Sequence, residues 1–186
     1  MHSAHALSAM ALAAFALFAS AATQAPSTAQ PPPASQAVTA QVHINGTGLK
    51  AITLDSKALA ALPRTTLTVK ERDDATSEYE GVRLSDALAA AGMTFGQTLR
   101  GPRLMDYLVA EAGDGYRVIF ALPEIDPEFS DRVVLLADQR DGKVIDGRDG
   151  PLRIVVSDER KHARWVRNLT RLTIVSAAPP QGAPAE

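Results

Sequence analysis

The chain has 186 residues and a mass of 19.7 kDa, with 46% hydrophobic and 22% charged residues. This length excludes a multidomain assembly and this composition excludes wholesale disorder, because single domains usually hold roughly 100–200 residues, of which about 25% are charged. The net charge of −2 provides no general attraction to nucleic acid, so we expect no nucleic-acid partner. The chain has no cysteine, which excludes disulfides, thiol nucleophiles and thiolate metal ligands.

The N-terminus predicts an export signal. Residues 1–25 contain no Lys, Arg, Asp or Glu, and residues 6–19 are an uninterrupted run of small and apolar side chains. Such a run has the length of a signal-peptide core and is shorter than the roughly 20 residues that span a bilayer. Residues 19–21 then provide a small-x-small cleavage site. We expect a periplasmic or secreted protein, with an uncleaved apolar anchor as the alternative.

Two segments have the composition of spacers. Residues 26–40 are mostly Pro, Ala, Ser, Thr and Gln, and residues 177–186 are mostly Pro and Ala. Neither can bury enough apolar surface to offset the entropy of an ordered chain. We therefore predict a disordered linker over residues 26–40, a folded domain over residues 41–176 and a disordered tail over residues 177–186.

The predicted domain begins with a β-hairpin. Apolar and polar residues alternate in residues 42–44 and 52–54, on either side of the Asn-Gly-Thr-Gly turn at residues 45–48. Asp55 or Ser56 should then cap a short helix that Pro63 stops.

Strands predominate in the rest of the domain. A second helix, capped by Ser85, should end at Gly92. Period-two patterns and β-branched residues predict strands over residues 65–70, 79–84, 107–110, 117–122, 133–137, 152–156 and 169–175. Because strands and short helices do not alternate regularly, we predict an α+β fold, a single compact domain with a mixed sheet and short helices.

The charges are separated along the chain. Residues 101–150 hold eleven acids and six bases, whereas residues 151–176 hold six bases and two acids. If residues 159–169 form a helix, four arginines share one face, because they recur at spacings of four, three and four: Arg160, Arg164, Arg167 and Arg171. Such a face could receive a phosphate or a carboxylate, or could pair with the acidic segment.

Five segments occur in an order that is similar to a known family. They are EYEGVRLSDALAAAG (78–92), EAGDGYRVIFALPEID (111–126), VVLLADQRDGKVI (133–145), GPLRIVV (150–156) and RWVRNLTRLTIV (164–175). Together they resemble the molybdopterin-binding domain of the sulfite oxidase superfamily. The resemblance implies a sulfite-oxidase-like fold and a cavity for a pterin or a molybdopterin-like ligand.

The same resemblance raises doubt about catalysis. Catalytic members of the superfamily bind molybdenum through a cysteine in a loop before a Gly-Val-x-Leu segment, and the corresponding residues here, 70–77, read KERDDATS. Without a sulfur donor we expect no bound molybdenum and favour a protein that is not an enzyme. Some non-catalytic relatives are exported pterin-binding proteins that act on membrane signalling partners, which implies such a ligand and such a partner here.

Five residues are the predicted ligand-binding residues. In the resemblance, Val166-Arg167-Asn168-Leu169 corresponds to a Val-Lys-Trp-Leu motif that helps to hold the cofactor, so Arg167 is the first, and Arg164 could share a phosphate or polyol with it. A flat pterin ring could stack on Trp165 or Tyr116, with Tyr79 as an alternative. The N–H edge of a pterin could be bound by Asp114.

Other chemistries have less support in the sequence. Only His43 and His162 remain outside the predicted signal, with no metal-binding spacing, so we predict no metal site and treat His162 as a solvated surface residue. No Gly-x-Ser-x-Gly motif supports a hydrolase. Three functions stay open: a pterin-binding module that could act as a ligand sensor, which we favour, a molybdopterin-dependent oxidoreductase or a subunit of one, and a scaffold that docks an acidic partner.

Overall fold

The part of the chain that the structure describes, residues 39–178, consists mainly of β-strands. The structure is a computed structural model. Its ten strands are β1 (Gln41–Gly46), β2 (Ile52–Asp55), β3 (Arg64–Lys70), β4 (Thr76–Arg83), β5 (Asp106–Ala112), β6 (Arg117–Ala121), β7 (Val134–Arg140), β8 (Lys143–Val144), β9 (Arg153–Val156) and β10 (Leu169–Ser176). Its helices are α1 (Ser56–Ala60), α2 (Leu84–Ala90) and α3 (Leu122–Ile125), with 3₁₀ turns at Gly96–Thr98, Gly101–Met105 and His162–Arg164.

The first sheet is mixed and has the strand order β2-β1-β10-β5-β6. β1 pairs parallel with β10, and the other neighbours are antiparallel. Burial alternates along β1 and β5, so that Val42, Ile44 and Leu108 face the core while the residues between them face outward. The predicted hairpin is confirmed, because β1 and β2 pair across the turn at residues 47–51.

The second sheet is antiparallel and has the order β3-β4-β7-β8, with β9 also paired to β7. Residues 134–137 of β7 and all of β9 are buried without alternation. Such runs are typical of strands that are covered on both faces. One cluster of buried apolar side chains includes residues from both sheets, for example Ile44 and Leu136. The predicted α+β class, with mixed β-structure and short helices, is confirmed.

The two longer helices begin differently. Asp55, one of the two predicted caps, caps α1, since its Oδ1 accepts a hydrogen bond of 2.8 Å from the backbone N–H of Ala58. The predicted cap at Ser85 is wrong: α2 begins at Leu84, its N-cap residue is Arg83, and no side chain caps it. Ser85 instead lies within the first turn and is buried, because Leu84 and its neighbours pack α2 against the second sheet.

Residues 159–169 do not form the helix that would place four arginines on one face. Apart from the 3₁₀ turn at His162–Arg164, this segment is irregular, with bends and a positive φ of 47° at Asn168, and two backbone hydrogen bonds join it to β9 and to the residue before β9. Ile154 N–H donates to the Val166 carbonyl at 2.8 Å, and Leu169 N–H donates to the Leu152 carbonyl at 2.9 Å. The four arginines therefore do not share one helix face.

Several predictions fall on residues outside the described part of the chain. They are the export signal (1–25), almost all of the linker (26–40) and most of the tail (177–186). Within residues 39–178, no helix has the length and apolar character needed to cross a membrane.

Candidate functional site

Several loops and strand ends surround a cleft of about 550 Å³. The loop after β3, the turn between β5 and β6, the end of β7, the start of β9 and the loop between β9 and β10 all contribute to its wall. Its charged or aromatic lining residues are Glu71, Arg72, Asp73, Asp114, Tyr116, Arg140, Asp149, Arg153, His162, Trp165 and Arg167. Four arginines and four carboxylates thus meet in one concave surface, which suits a polar ligand that carries both donors and acceptors.

Asp149 joins two arginines at one side of the cleft. Its Oδ2 accepts a hydrogen bond of 3.3 Å from Arg153, and its Oδ1 accepts one of 3.3 Å from Arg167. The Arg153 side chain is 9% exposed and that of Arg167 is 45% exposed. One carboxylate between two guanidinium groups leaves net positive charge there, which would favour an anionic group on a ligand.

Arg153 is the charged residue within the buried strand β9. Its guanidinium carbon lies 5.5 Å from the ring centroids of both Tyr79 and Trp165, so cation–π attraction offsets part of its desolvation. Its Nη1 donates to the Tyr79 hydroxyl at 3.1 Å, whereas its Nε is buried without a hydrogen-bond partner in the described residues.

Tyr79 and Glu71 form the polar floor beside this arginine. The Tyr79 hydroxyl donates to Glu71 Oε1 at 2.6 Å. Burial raises the pKa of Tyr79 well above its ordinary value, and the hydrogen bond to Glu71 raises it further. Tyr79 therefore stays protonated at neutral pH. It is fully buried and supports the cleft from beneath, where a ligand ring cannot stack on it.

His162 and Trp165 form a stacked pair next to Arg153, Tyr79 and Glu71. Their ring centroids are 3.6 Å apart and their planes differ by 9°. The side chain of His162 is 7% exposed, so the prediction that it is a solvated surface residue is wrong. Since the imidazole covers one face of the indole, that face of Trp165 is closed to a ligand ring in this arrangement.

Tyr116 and Asp114 lie at the rim, in the turn between β5 and β6. Tyr116 is 49% exposed, and its hydroxyl donates to the Ala163 carbonyl at 2.6 Å. Asp114 Oδ1 accepts the backbone N–H of Tyr116 at 3.0 Å, which is the hydrogen bond of an Asx turn. Its other carboxylate oxygen makes no hydrogen bond within the described residues.

Arg164 does not line the cleft. Its guanidinium contacts Glu124 Oε2 at 2.9 Å and also pairs with Glu159, and it lies 4.7 Å from the centroid of the Phe120 ring. Burial lowers the pKa of Arg164, but the hydrogen bonds to Glu124 and Glu159 outweigh this effect and raise it overall. These contacts hold Arg164 against α3 and β6, away from the other predicted residues.

The structure therefore brings together four of the five predicted ligand-binding residues: Asp114, Tyr116, Trp165 and Arg167. Trp165 and Arg167 border the same cleft. The sequence reasoning missed Glu71, Arg140, Asp149 and Arg153. Arg153 left a detectable signal, because a lone arginine within an apolar strand indicates a buried charge with a specific partner.

Comparison with known proteins identifies the fold. No family model matches the chain, and no curated protein matches it. Among solved structures, the sulfane dehydrogenase SoxCD from Paracoccus pantotrophus is similar with a TM-score of 0.57 and 24% sequence identity. The match covers 72% of this chain and 37% of that chain. The chain has the SoxCD fold over this region.

The SoxCD fold supports the predicted likeness to the sulfite oxidase fold. At this level of identity the similarity establishes the fold alone. Because this chain spans little more than a third of the SoxCD chain that it matches, the activity of that protein is not carried over with the fold.

The residues of this cleft fit the organic part of a molybdopterin better than its metal. Arginines, carboxylates and an exposed aromatic ring can bind a phosphate and a pterin. The loop that the sequence resemblance aligns with a cysteine-bearing loop of the sulfite oxidase superfamily borders the cleft through Glu71, Arg72 and Asp73, and no residue of the chain is a cysteine. Within residues 39–178, no three His, Asp or Glu side chains converge as a metal site.

Proposed function

We propose that this chain is a non-catalytic binding module that holds a pterin or a molybdopterin-like ligand in the cleft. The observation that carries the proposal is the meeting of Arg167, Tyr116 and Asp114 around one concave surface of about 550 Å³. Ligand-binding pockets usually have volumes of about 300–1,000 Å³ and orient their ligands with a few polar groups. The volume of this cleft lies within that range.

Each part of a pterin has a counterpart in the cleft. The half-exposed ring of Tyr116 offers a face for the flat heterocycle. The second carboxylate oxygen of Asp114 can accept the N–H groups of the guanidine-like edge, because the first oxygen alone serves the turn. Arg167 and Arg153 can bind a phosphate or polyol substituent in exchange for part of their contact with Asp149.

The side chains that could ligate a metal ion do not favour catalysis. The chain has no thiolate with which to hold a molybdenum ion, and Glu71, in the corresponding loop, is engaged by Tyr79. The cleft would therefore serve recognition rather than oxo transfer. Export of the chain, a role as a ligand sensor and a membrane signalling partner stay predictions.

Direct binding tests the proposal. The purified full chain is titrated with oxidised biopterin and with tetrahydrobiopterin, by ligand fluorescence and by isothermal calorimetry. We expect saturable binding at one site with a Kd below about 100 μM, which corresponds to roughly 5 kcal/mol. No heat and no fluorescence change at about 100 μM ligand would remove the proposal.

A second candidate is a molybdopterin-dependent oxidoreductase or a subunit of one. The similarity to SoxCD favours it, since that protein is a dehydrogenase. Metal analysis of protein purified from molybdenum-replete cells distinguishes the two candidates. Stoichiometric molybdenum would support the second candidate and overturn the first.

A further inference from the structure

The stacked pair of His162 and Trp165 closes the largest aromatic face of the cleft. The rings are parallel to within 9°, with centroids 3.6 Å apart, which is the geometry of two stacked heterocycles. Trp165 is 4% exposed although it borders the cleft. The imidazole therefore lies where a planar ligand would lie if it stacked on the indole.

Within residues 39–178, the imidazole makes no hydrogen bond that would hold it on the indole. Neither ring nitrogen makes a hydrogen bond within the described residues, and its nearest carboxylate oxygen, Glu71 Oε2, is 3.9 Å from Nδ1. That distance is too long for a hydrogen bond. The side chain can therefore leave without breaking a specific polar contact.

The backbone around His162, by contrast, is fixed. The Tyr116 hydroxyl donates to the Ala163 carbonyl at 2.6 Å, and Trp165 N–H donates to the His162 carbonyl at 3.1 Å. The Arg164 side chain anchors the same turn to Glu124 and Glu159. A rotation of the His162 side chain alone would therefore uncover Trp165, because the turn that carries it stays in place.

A polar group of Trp165 also lacks a partner in the described part of the chain. Its Nε1–H is buried without a hydrogen-bond partner among the described residues. Leaving such a donor unpaired is unfavourable, since buried indole N–H groups usually find an acceptor. This N–H points along the plane of the indole, so an acceptor would have to lie at the edge of the ring, beside a stacked ligand.

We propose that the face of Trp165 is a stacking subsite for a flat heterocycle, and that His162 is a built-in competitor whose imidazole the ligand displaces. The inference rests on the proposed function and specifies how that site recognises its ligand. The ligand buries again the indole face that the imidazole leaves, so the net cost is the loss of the contacts of the imidazole itself, to which the aromatic pair adds a small free energy beyond its buried area. A bicyclic pterin covers more of the indole than an imidazole does, so the exchange favours the ligand.

Truncation of the competitor tests the inference. Biopterin affinity is measured for the full chain and for H162A, with H43A as the matched control, because His43 lies on the outer face of the first sheet. We expect H162A to bind about two- to tenfold more tightly than the unaltered chain, the range that corresponds to an aromatic pair of about 0.5–1.5 kcal/mol. H43A should bind as the unaltered chain does.

A measurement on the unaltered chain makes the test independent of whether H162A folds. Trp165 is the only tryptophan in the chain, so one indole N–H signal in a nitrogen-15 NMR spectrum reports on it. The ring protons of His162 are shielded by the indole and should move toward the values of a solvated histidine as biopterin is added. The indole N–H signal should shift with the same apparent Kd.

The outcomes separate this inference from the proposed function. Tighter binding by H162A, together with movement of the His162 signals, supports it. Biopterin binding that is unchanged or weaker in H162A, or that leaves the His162 ring signals in place, overturns this inference and leaves the proposed function standing. If neither the unaltered chain nor H162A binds biopterin, both this inference and the proposed function are overturned.

Discussion

The Tyr116 hydroxyl donates a hydrogen bond of 2.6 Å to the backbone carbonyl of Ala163. This contact joins the turn between β5 and β6 to the loop between β9 and β10, across 47 positions of sequence. The two loops carry Asp114 on one side and Trp165 and Arg167 on the other, all of which line the cleft. Tyr116 therefore contributes an exposed ring face and also ties together two parts of the wall.

The change Tyr116→Phe separates these two roles. The phenyl ring keeps the stacking face but loses the tie to Ala163, so we expect the unfolding free energy to fall by about 1 kcal/mol. Biopterin should bind about threefold more weakly, and Tyr116→Ala should weaken binding about tenfold because the ring is lost as well. Chemical denaturation and calorimetric titration measure these effects. Equal affinities for Y116F and Y116A would show that the ring does not contact the ligand.

Arg167 and Arg164 should differ although both are arginines of one loop. Arg167→Ala removes a half-exposed cation from the cleft, and we expect a phosphorylated pterin to bind about tenfold more weakly, with little change in stability. Arg164→Ala should change this affinity far less than Arg167→Ala does, because Arg164 anchors the turn behind the cleft and does not line it. It should lower the unfolding free energy by about 1–2 kcal/mol, because Glu159 would lose its partner. If R164A bound the ligand more weakly while its unfolding free energy equalled that of the unaltered chain, Arg164 would be a ligand-binding residue after all.

The raised pKa of Tyr79 predicts a stability that depends on pH. The folded protein retains this proton more tightly than the unfolded chain, whose tyrosine ionises near its ordinary value of 10.0. The contribution is therefore fully present below pH 10 and is lost as the pH rises above it. In Tyr79→Phe the side chain has no group that can ionise. The substitution also removes the hydroxyl that Glu71 and Arg153 contact.

We expect Y79F to be less stable than the unaltered chain by about 1–3 kcal/mol at pH 7, with a smaller difference at pH 11. Urea unfolding at both values measures this, and Y107F is the control because Tyr107 faces outward on β5. A difference between Y79F and the unaltered chain that grows with pH would contradict the assigned direction of the pKa shift.

Gly81 is predicted to tolerate no side chain. A Cβ atom there would lie 2.1 Å from the Leu136 carbonyl oxygen and 2.7 Å from the Ala137 Cα, both of which are backbone atoms of the paired strand β7. The register of β4 on β7 also shifts between Glu80 and Gly81, which indicates a bulge. Gly81→Ala should therefore cost more than about 2 kcal/mol of unfolding free energy.

Gly48→Ala is the matched control for Gly81→Ala. Gly48 has φ of +74° and open space around its Cβ position, so the substitution should cost only about 1 kcal/mol, from the left-handed backbone. Thermal or urea unfolding of both variants measures the two losses of unfolding free energy. A Gly81→Ala variant that is as stable as Gly48→Ala would mean that β4 and β7 are not packed as described.

The elements of this fold were largely predictable because their signals are local. The hairpin of β1 and β2 and the Asp55 cap of α1 depend on residues close in sequence, and both were correct. The helix considered for residues 159–169 does not form, and the spacing of the arginines contains no information about the strand with which this segment pairs. Pairing of this segment with β9 supplies backbone hydrogen bonds that a helix would otherwise provide.

The amino-acid sequence by itself determined the strand-rich class, the absence of thiolate chemistry and the candidacy of Asp114, Tyr116, Trp165 and Arg167. Tertiary structure alone decided that these four line one cleft, that Arg164 does not, and that Asp149, Arg153 and Glu71 complete the wall. The physical reason is that spacing along a strand or turn is encoded locally, whereas convergence of distant loops depends on sheet order and on which side chains the core must bury.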